Sequence, residues 1–297
     1  MMNFVTFLQL SIDGLLTGGI YVIVSIGLSL VFGVMHIVNF AHAEFLMLGM
    51  FIAWFAWSWL GLDPMLGAFL SLALVFVLGM GLQRWLIQPV QGASQMSQIF
   101  LTVGLMFMLE NGALLLFGAD FRSVSTPYQT MGMELLAIPG QGKVLVGLDK
   151  VLAFAMAALI GLAVWALVQF SRFGMAIRAT AQDPMAAQLM GINTRRVYRI
   201  AFGLGVGLTA FGGAVILPYM SVFPTVGTQF AVLMFTAVVL GGLGNVAGAV
   251  LGGLLVGVVQ SLSTLLLPIQ MQNFALFVVF IAVLALRPQG LLSRRAA

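Results

Sequence analysis

Long apolar runs separated by short polar stretches repeat along the whole chain. Each run is about 20 residues long, which is the length that an α-helix needs to cross a bilayer. The runs cover residues 12–33, 44–60, a third stretch ending near 84, 98–118, 151–170, 200–222, 229–243, 246–267 and 274–286. This pattern predicts an all-α, polytopic membrane helix bundle with about eight or nine crossings, within a range of about 8–10.

Polar side chains interrupt the pattern between the first two runs. His36, Asn39, His42 and Glu44 fall within residues 36–44, which are too polar to face lipid and too apolar for an ordinary loop. Irregular backbone at membrane depth is tolerated only where it packs in protein or lines a cavity. We therefore predict a broken or re-entrant segment that lines or gates a pathway, or that stabilises a helix break by local hydrogen bonds. A metal site is the weakest alternative, because these residues do not form the H-E-x-x-H pattern.

Three further polar residues are candidates for the same pathway. Glu110 and Asn111 lie in the middle of an apolar run, where ionisable groups are functional candidates by default. The alternative is that both hydrogen-bond to a neighbouring helix. Asn245 lies in a glycine-rich linker, where a turn or capping role is favoured over contact with a substrate. The glycines that recur between residues 241 and 257 favour close helix packing.

Composition agrees with a membrane protein. The chain is 62% hydrophobic and 7% charged, with a mean hydropathy of +1.14, so its apolar surface exceeds what one soluble core could bury. The net charge of +4 comes from basic residues in loops and near the C-terminus, as membrane topology requires, and does not indicate nucleic-acid binding. Cysteine is absent, which excludes disulfides and thiolate metal sites. The N-terminus lacks a basic segment and carries Asp13 in its apolar part, so it does not match a cleaved signal peptide.

The charge of two loops predicts their sides of the membrane. Residues 171–199 contain five arginines and one acid, Asp183, which predicts a cytoplasmic loop. Residues 119–150 contain three basic and three acidic residues, a balance that predicts a periplasmic loop. Prolines and glycines in this second loop predict a turn-rich external subdomain rather than another helix.

A short helix is predicted inside the arginine-rich loop. Asp183 is suited to cap its N-terminus, Pro184 to occupy its first position and Gly191 to close it in a left-handed conformation. We predict that this segment docks a cytoplasmic partner, and the alternative is a helix that only lies on the membrane. A charge introduced at Ala187 is expected to abolish coupling to that partner and to leave membrane insertion intact. The predicted docking segment consists of Asp183, Pro184, Met185, Ala186, Ala187, Gln188, Leu189, Met190 and Gly191.

Four segments of the sequence resemble a known family. VFGVMHIVNFAHAEFLMLGMF, RATAQDPMAAQLMGIN, VVLGGLGNVAGAVLGGLLVG and RPQGLL are similar, in the same order, to segments of the permease subunits of branched-chain amino-acid ABC importers. Two positions depart from the family pattern. Ala43 replaces a glycine that many relatives carry, and Met185 replaces the acidic residue of the EAA-then-glycine pattern, which puts in doubt any salt bridge from that position.

The resemblance implies the partners of the chain. They are a second permease subunit, homologous but different, two cytoplasmic ATPase subunits and a periplasmic substrate-binding protein, assembled in the bacterial inner membrane. It also implies that residues 1–297 form a single permease domain. The two alanines of the docking segment would let it enter a groove on the ATPase.

The sequence limits where ATP is hydrolysed. A phosphate loop needs G-x-x-x-x-G-K-[ST], and neither of the two lysines, Lys143 and Lys150, occurs in that pattern. We therefore expect that this chain binds no cofactor and that ATP and Mg²⁺ are used by the partner ATPases.

Two other classes of protein, a secondary transporter or channel and an intramembrane hydrolase, are alternatives to the importer. A secondary transporter or channel driven by an ion gradient would carry flux alone and would make Glu44 and Glu110 proton-linked. An intramembrane hydrolase would need G-x-S-x-G or H-E-x-x-H, and neither occurs. Within the importer family, a branched-chain amino acid is the favoured solute, and urea, short amides and aromatic acids are the alternatives.

Overall fold

The computed structural model describes residues 4–138, 142–268 and 271–292. Its first helices are α1 (Phe4–Met35), α2 (Glu44–Leu60), α3 (Pro64–Leu82) and α4 (Gln95–Phe117), and a 3₁₀ turn (Phe40–Ala43) precedes α2. A hairpin of β1 (Gly132–Ile138) and β2 (Gly142–Gly147) follows α4. The remaining helices are α5 (Leu148–Phe170), α6 (Arg172–Gln182), α7 (Pro184–Leu189), α8 (Thr194–Ile216), α9 (Val226–Gly241), α10 (Val246–Ser263) and α11 (Gln272–Leu286).

The described helices confirm the predicted membrane bundle. Seven helical segments are long and apolar enough to cross a membrane, and α9 and α11 are shorter apolar helices. All of the predicted apolar runs are therefore helical. The run predicted at residues 200–222 is shifted, because the helix begins at Thr194 and ends at Ile216, before Pro218. The backbone around Pro218 and Pro224 is unwound.

Two helices form the centre of the bundle. In the most apolar stretch of α1, 78% of the residues are buried, and in that of α8, 83% are buried. The corresponding share is 17% in α4 and in α5. Glycines allow the central helices to approach their neighbours closely. A Cβ atom at Gly49 in α2 would overlap the carbonyl oxygen of Ala210 in α8, and one at Gly257 in α10 would overlap Gly14 in α1. The packing role predicted for the glycines of α10 is therefore confirmed.

A β-hairpin lies at one end of the bundle, which we call the hairpin end. Its strands are antiparallel, and Met133 pairs with Val146. The loop between α8 and α9 lies at this end too, because Arg122 and Val222 form an isolated β-bridge. The sequence predicted turns here and missed the strands, and α5 begins at Leu148 rather than at 151.

The opposite end of the bundle, which we call the arginine end, carries α6 and α7. These two short helices connect α5 to α8 outside the spanning segments. Ser171 caps α6 by accepting a hydrogen bond from the backbone N–H of Gly174 (2.9 Å). The loop predicted from its charge is therefore helical through most of its length.

Candidate functional site

The predicted break between α1 and α2 is present. α1 ends at Met35, His36 has a φ of 55°, and a 3₁₀ turn over Phe40–Ala43 leads into α2. A positive φ is unusual for a residue other than glycine and marks a backbone held by its surroundings. The His36 side chain is exposed and packs against Phe32, with ring centroids 6.1 Å apart. His36 is therefore separated from the polar residues that follow it.

Three polar side chains of this segment are buried in the bundle. Asn39 and His42 are 0% exposed, and Glu44 is 1% exposed. Nε2 of His42 lies 2.7 Å from Oγ1 of Thr209 in α8. Within the described part of the chain, no hydrogen-bond partner is found for His42 Nδ1, Glu44 Oε2 or either amide atom of Asn39. Buried polar atoms are normally paired, so this group requires a functional explanation or bound water.

The Glu44 carboxylate lies against the first turn of α9. A Cβ atom at Gly227 would lie 2.6 Å from Glu44 Oε2 and 2.7 Å from Oε1, so only glycine leaves room for the carboxylate. The N-terminus of a helix carries a partial positive charge that stabilises a nearby anion. The fold therefore places a buried acid beside the positive end of a short membrane helix.

A polar cavity of about 780 Å³ lies close to this carboxylate, between α1, α4, α9, α10 and α11. Residues at the start of α9 and α11 line it, which places it towards the hairpin end. Its polar wall contains Glu110, Thr225, Thr228, Gln229, Gln260 and Gln272. Of these residues, only Glu110 was predicted from the sequence. Gln260 and Gln272 could have been predicted as lining residues, because Gln260 interrupts an apolar run and Gln272 precedes one.

Glu110 and Asn111 have different surroundings. Glu110 is half-buried and lines the cavity, whereas Asn111 is exposed. The Asn111 side chain donates a hydrogen bond to the carbonyl oxygen of Phe107 (2.8 Å), one turn earlier in its own helix. Among the described residues, the Asn111 side chain therefore bonds within its own helix.

Asn245 caps a helix. Its Oδ1 accepts a hydrogen bond from the N–H of Gly248 (3.1 Å), and its Nδ2 donates one to the carbonyl oxygen of Leu292 (3.0 Å). These contacts begin α10 and hold the end of the chain against it. The structure thus confirms the capping role and places Asn245 away from the cavity lining.

The short helix of the arginine-rich loop has the predicted form. Oδ1 of Asp183 accepts hydrogen bonds from the N–H groups of Met185 (2.8 Å) and Ala186 (3.0 Å), and Pro184 is the first residue of α7. Gly191 closes the segment with a φ of 84°. Gln188 donates a hydrogen bond to Oγ1 of Thr194 (2.9 Å), which connects α7 to the first residue of α8.

The two faces of α7 differ in exposure. Ala187 is only 4% exposed and packs against its own chain, so its side chain is not free to contact a partner, whereas Ala186 is exposed. Three apolar side chains face outwards instead. Met185, Leu189 and Met190 are 74%, 85% and 83% exposed. Large apolar side chains grouped on a surface commonly mark a protein contact.

No group of three or more His, Cys, Asp or Glu residues that could hold a metal ion occurs within residues 4–138, 142–268 and 271–292. The buried polar residues and the docking segment lie in different parts of the structure. His42 contacts α8, Glu44 contacts the first turn of α9, and Glu110 lines the cavity. α7 forms a separate surface at the arginine end.

Comparison with known proteins identifies the family. Residues 10–284 match the family described as branched-chain amino acid transport system / permease component. The permease protein BraD of the high-affinity branched-chain amino acid transport system of Pseudomonas aeruginosa is 30% identical over 97% of this chain and 96% of its own length. LivH of the corresponding system of Escherichia coli K12 is 29% identical over 98% and 97%.

A more distant relative comes from an archaeon. The probable branched-chain amino acid transport permease protein LivH of Methanocaldococcus jannaschii is 27% identical over 82% of this chain and 76% of its own length. No solved structure matches the chain. The family match covers nearly all of the described bundle, from α1 to α11. The chain is a multi-pass inner-membrane transport subunit and belongs to the family of branched-chain amino acid transport permeases.

Proposed function

We propose that this chain forms, with a homologous but different permease subunit, the alternating-access pathway of an ABC importer for branched-chain amino acids. The main support for this proposal is the sequence identity of 29–30%, over nearly the full length, to permeases named for high-affinity branched-chain amino acid transport. Two cytoplasmic ATPases and a periplasmic substrate-binding protein complete the proposed complex. ATP and Mg²⁺ act in the ATPases, because this chain has no phosphate loop.

The proposed contact with an ATPase is the exposed apolar face of α7. Met185, Leu189 and Met190 form this face, and five arginines within residues 171–199 support a cytoplasmic position. The six residues of α7 are too few to be stable alone, so the cap at Asp183 and the closure at Gly191 hold the helix in shape. A rigid helix with an exposed apolar face is suited to bind in a groove of an ATPase subunit.

The same segment is connected to the centre of the bundle. α7 is joined to α8 by the Gln188–Thr194 hydrogen bond, and α8 holds His42 through Thr209. ATP binding would draw the two ATPases together and displace α7. Because α8 is a continuous helix of 23 residues, the displacement would reach the break between α1 and α2. Asn39, His42 and Glu44 then stand where the pathway would open and close.

The remaining candidate residues take different places in the proposed pathway. Glu110 lines the cavity that we place at the outer end, and Asn111 is exposed next to it. His36, exposed after α1, is a candidate gating residue on the inner side. Asn245 would act through the start of α10 rather than by contact with solute.

The hairpin end is proposed to receive the binding protein. Met133, Leu135 and Leu136 of β1 are 41–48% exposed, and β1 lies in the segment between α4 and α5. Exposed apolar side chains on a strand outside the membrane suit contact with a soluble protein. This assignment requires residues 119–150 to lie in the periplasm, as their balanced charge predicts.

The experiment is purification of this chain in gentle detergent after expression with the products of neighbouring genes. ATPase activity is then measured with and without the binding protein, and uptake of radiolabelled L-leucine is measured in vesicles. We expect co-purified ATPases, hydrolysis stimulated by the binding protein, and uptake that needs hydrolysable ATP. Flux driven by an ion gradient in vesicles holding this chain alone would instead establish a secondary transporter.

A further inference from the structure

We propose that the cavity at the hairpin end is a binding site for the zwitterionic head of an apolar α-amino acid. Glu110 binds the ammonium group, with the Glu44 carboxylate behind it, and the first turn of α9 binds the carboxylate group. The inference rests on the proposed function and deepens it, because it places recognition of the solute in the permease as well as in the binding protein.

The negative side of the site consists of two acids without a cation. The ion pairs found among the described residues are Lys143–Glu134 and Lys150–Asp13, and neither involves Glu44 or Glu110. Carboxylates at membrane depth are expensive unless they are paired. A bound ammonium group would supply the missing positive charge.

The positive side of the site is the start of α9. No side chain caps this helix, and the first N–H groups of a helix have no partner within it. Thr225, Thr228 and Gln229 of this first turn line the cavity and add hydroxyl and amide donors. Short membrane helices that end beside a cavity bind anionic groups of transported solutes in this way.

Glu44 links the two sides. Its carboxylate contacts the first turn of α9 at Gly227, it is 1% exposed, and its Oε2 has no hydrogen-bond partner within the described ranges. The acid and the helix terminus are therefore neighbours. An α-amino acid carries its ammonium and carboxylate groups on one carbon atom, so adjacent negative and positive sites match that geometry.

The rest of the lining suits an apolar side chain. Met220, Phe230, Val232 and Leu233 form an apolar wall of the cavity. The volume of about 780 Å³ lies within the range of ligand sites and exceeds what one amino acid fills. The excess leaves room for water, which the acids and amides of the polar wall would bind.

A second groove in the same protein has an almost entirely apolar lining, which is compatible with lipid acyl chains. This groove of about 620 Å³ lies between α1, α5 and α10 and is lined by apolar residues such as Val22, Phe154 and Leu254. The cavity wall instead carries Glu110, Gln260 and Gln272, which are costly against hydrocarbon. The polar wall therefore faces a water-filled pathway and not acyl chains.

The first test uses the complete importer, reconstituted with its ATPases and binding protein. Initial uptake of radiolabelled L-leucine is compared for wild type, Glu110→Gln, Thr228→Val and the matched control Thr17→Val. The Thr17 hydroxyl bonds to the backbone of its own helix, at Asp13, and Thr17 does not line the cavity. We expect Glu110→Gln to reduce uptake about 10- to 100-fold and Thr228→Val about 5-fold, since charge-assisted hydrogen bonds contribute more than neutral ones. The control should stay within about twofold of wild type.

The second test uses the wild-type complex without the binding protein, so it does not depend on a variant that folds. Bound radiolabelled L-leucine is displaced by 4-methylpentanoate, which lacks the ammonium group, or by 3-methylbutylamine, which lacks the carboxylate. We expect half displacement to require an analogue concentration at least about tenfold higher than that of unlabelled L-leucine. An amine that competes as well as L-leucine overturns the role of α9, and an acid that competes as well overturns the role of Glu110.

The outcomes separate this inference from the proposed function. Unchanged uptake by both Glu110→Gln and Thr228→Val overturns the binding site and leaves the importer assignment intact. Co-purified ATPases with neither uptake nor binding of L-leucine by wild type overturn the amino-acid assignment, and this inference falls with it. Flux by the chain alone, driven by an ion gradient, overturns the importer assignment itself.

Discussion

Nε2 of His42 lies 2.7 Å from Oγ1 of Thr209, and both side chains are fully buried. This hydrogen bond joins the break between α1 and α2 to α8. The other end of α8 carries α7, the proposed contact with an ATPase, through the Gln188–Thr194 hydrogen bond. One continuous helix thus connects the docking surface to the buried polar group. A motor outside the membrane needs such a rigid connection to move groups in its centre.

Replacement of Thr209 by Val should destabilise the protein. Valine keeps the shape but removes the hydroxyl partner of His42, and a buried unpaired polar group costs about 1–3 kcal/mol. We expect a lower Tm for Thr209→Val in detergent, measured by thermal unfolding. Thr17→Val is the control, because the Thr17 hydroxyl bonds only to the backbone of its own helix, at Asp13. Equal Tm values for the two variants would contradict a structural role for the His42–Thr209 bond.

Replacement of Gly49 by Ala should be poorly tolerated. The added methyl group would overlap the carbonyl oxygen of Ala210, so α2 and α8 would have to separate. Overpacking of this kind costs about 1–3 kcal/mol or more. The matched control is Gly112→Ala, where a Cβ meets open space and where alanine favours the helix by about 0.5–1 kcal/mol. We expect a loss of monodisperse protein in size-exclusion chromatography for Gly49→Ala alone.

The apolar face of α7 can be tested with a charge. Leu189→Glu places a carboxylate on a side chain that is 85% exposed, so the permease should still fold, while the contact with an ATPase should weaken. We expect about tenfold less co-purified ATPase. Met96→Glu, at the start of α4, is the control, because Met96 is also exposed. ATPase recovery unchanged by Leu189→Glu would contradict docking through α7. A charge at Ala187 cannot make this distinction, because Ala187 is buried in its own chain.

The apolar strand of the hairpin offers a test at the other end. Leu135→Asp places a charge on an exposed β1 side chain. We expect the concentration of binding protein needed for half-maximal uptake to rise about 3- to 10-fold. ATPase activity without binding protein should not change, because the hairpin is remote from α7. Thr130→Asp is the control on an exposed polar position before the strand. Identical uptake curves for the two variants would remove the hairpin from the contact.

The sequence predicted local features and missed most of the distant contacts. Apolar runs, the cap at Asp183 and the left-handed Gly191 follow from interactions within a few residues, and they were predicted correctly. The contact of Glu44 with Gly227 joins residues far apart in the chain, and no local pattern encodes it. The cavity is assembled from five helices, so only Glu110 was visible as a candidate. The inward orientation of Ala187 depends on how α7 packs against its own chain, which the family pattern did not reveal.

The cap of α7 should matter for coupling rather than for folding of the bundle. Asp183→Ala removes both hydrogen bonds to the first turn, and loss of an N-cap costs about 0.5–2 kcal/mol, which is large for a helix of six residues. We expect fewer molecules of L-leucine transported per ATP hydrolysed, with an unchanged Tm. Asp183→Ser should retain most of the coupling, because serine also caps helices. If serine fails as alanine does, the carboxylate itself contacts the partner, and the capping explanation is wrong.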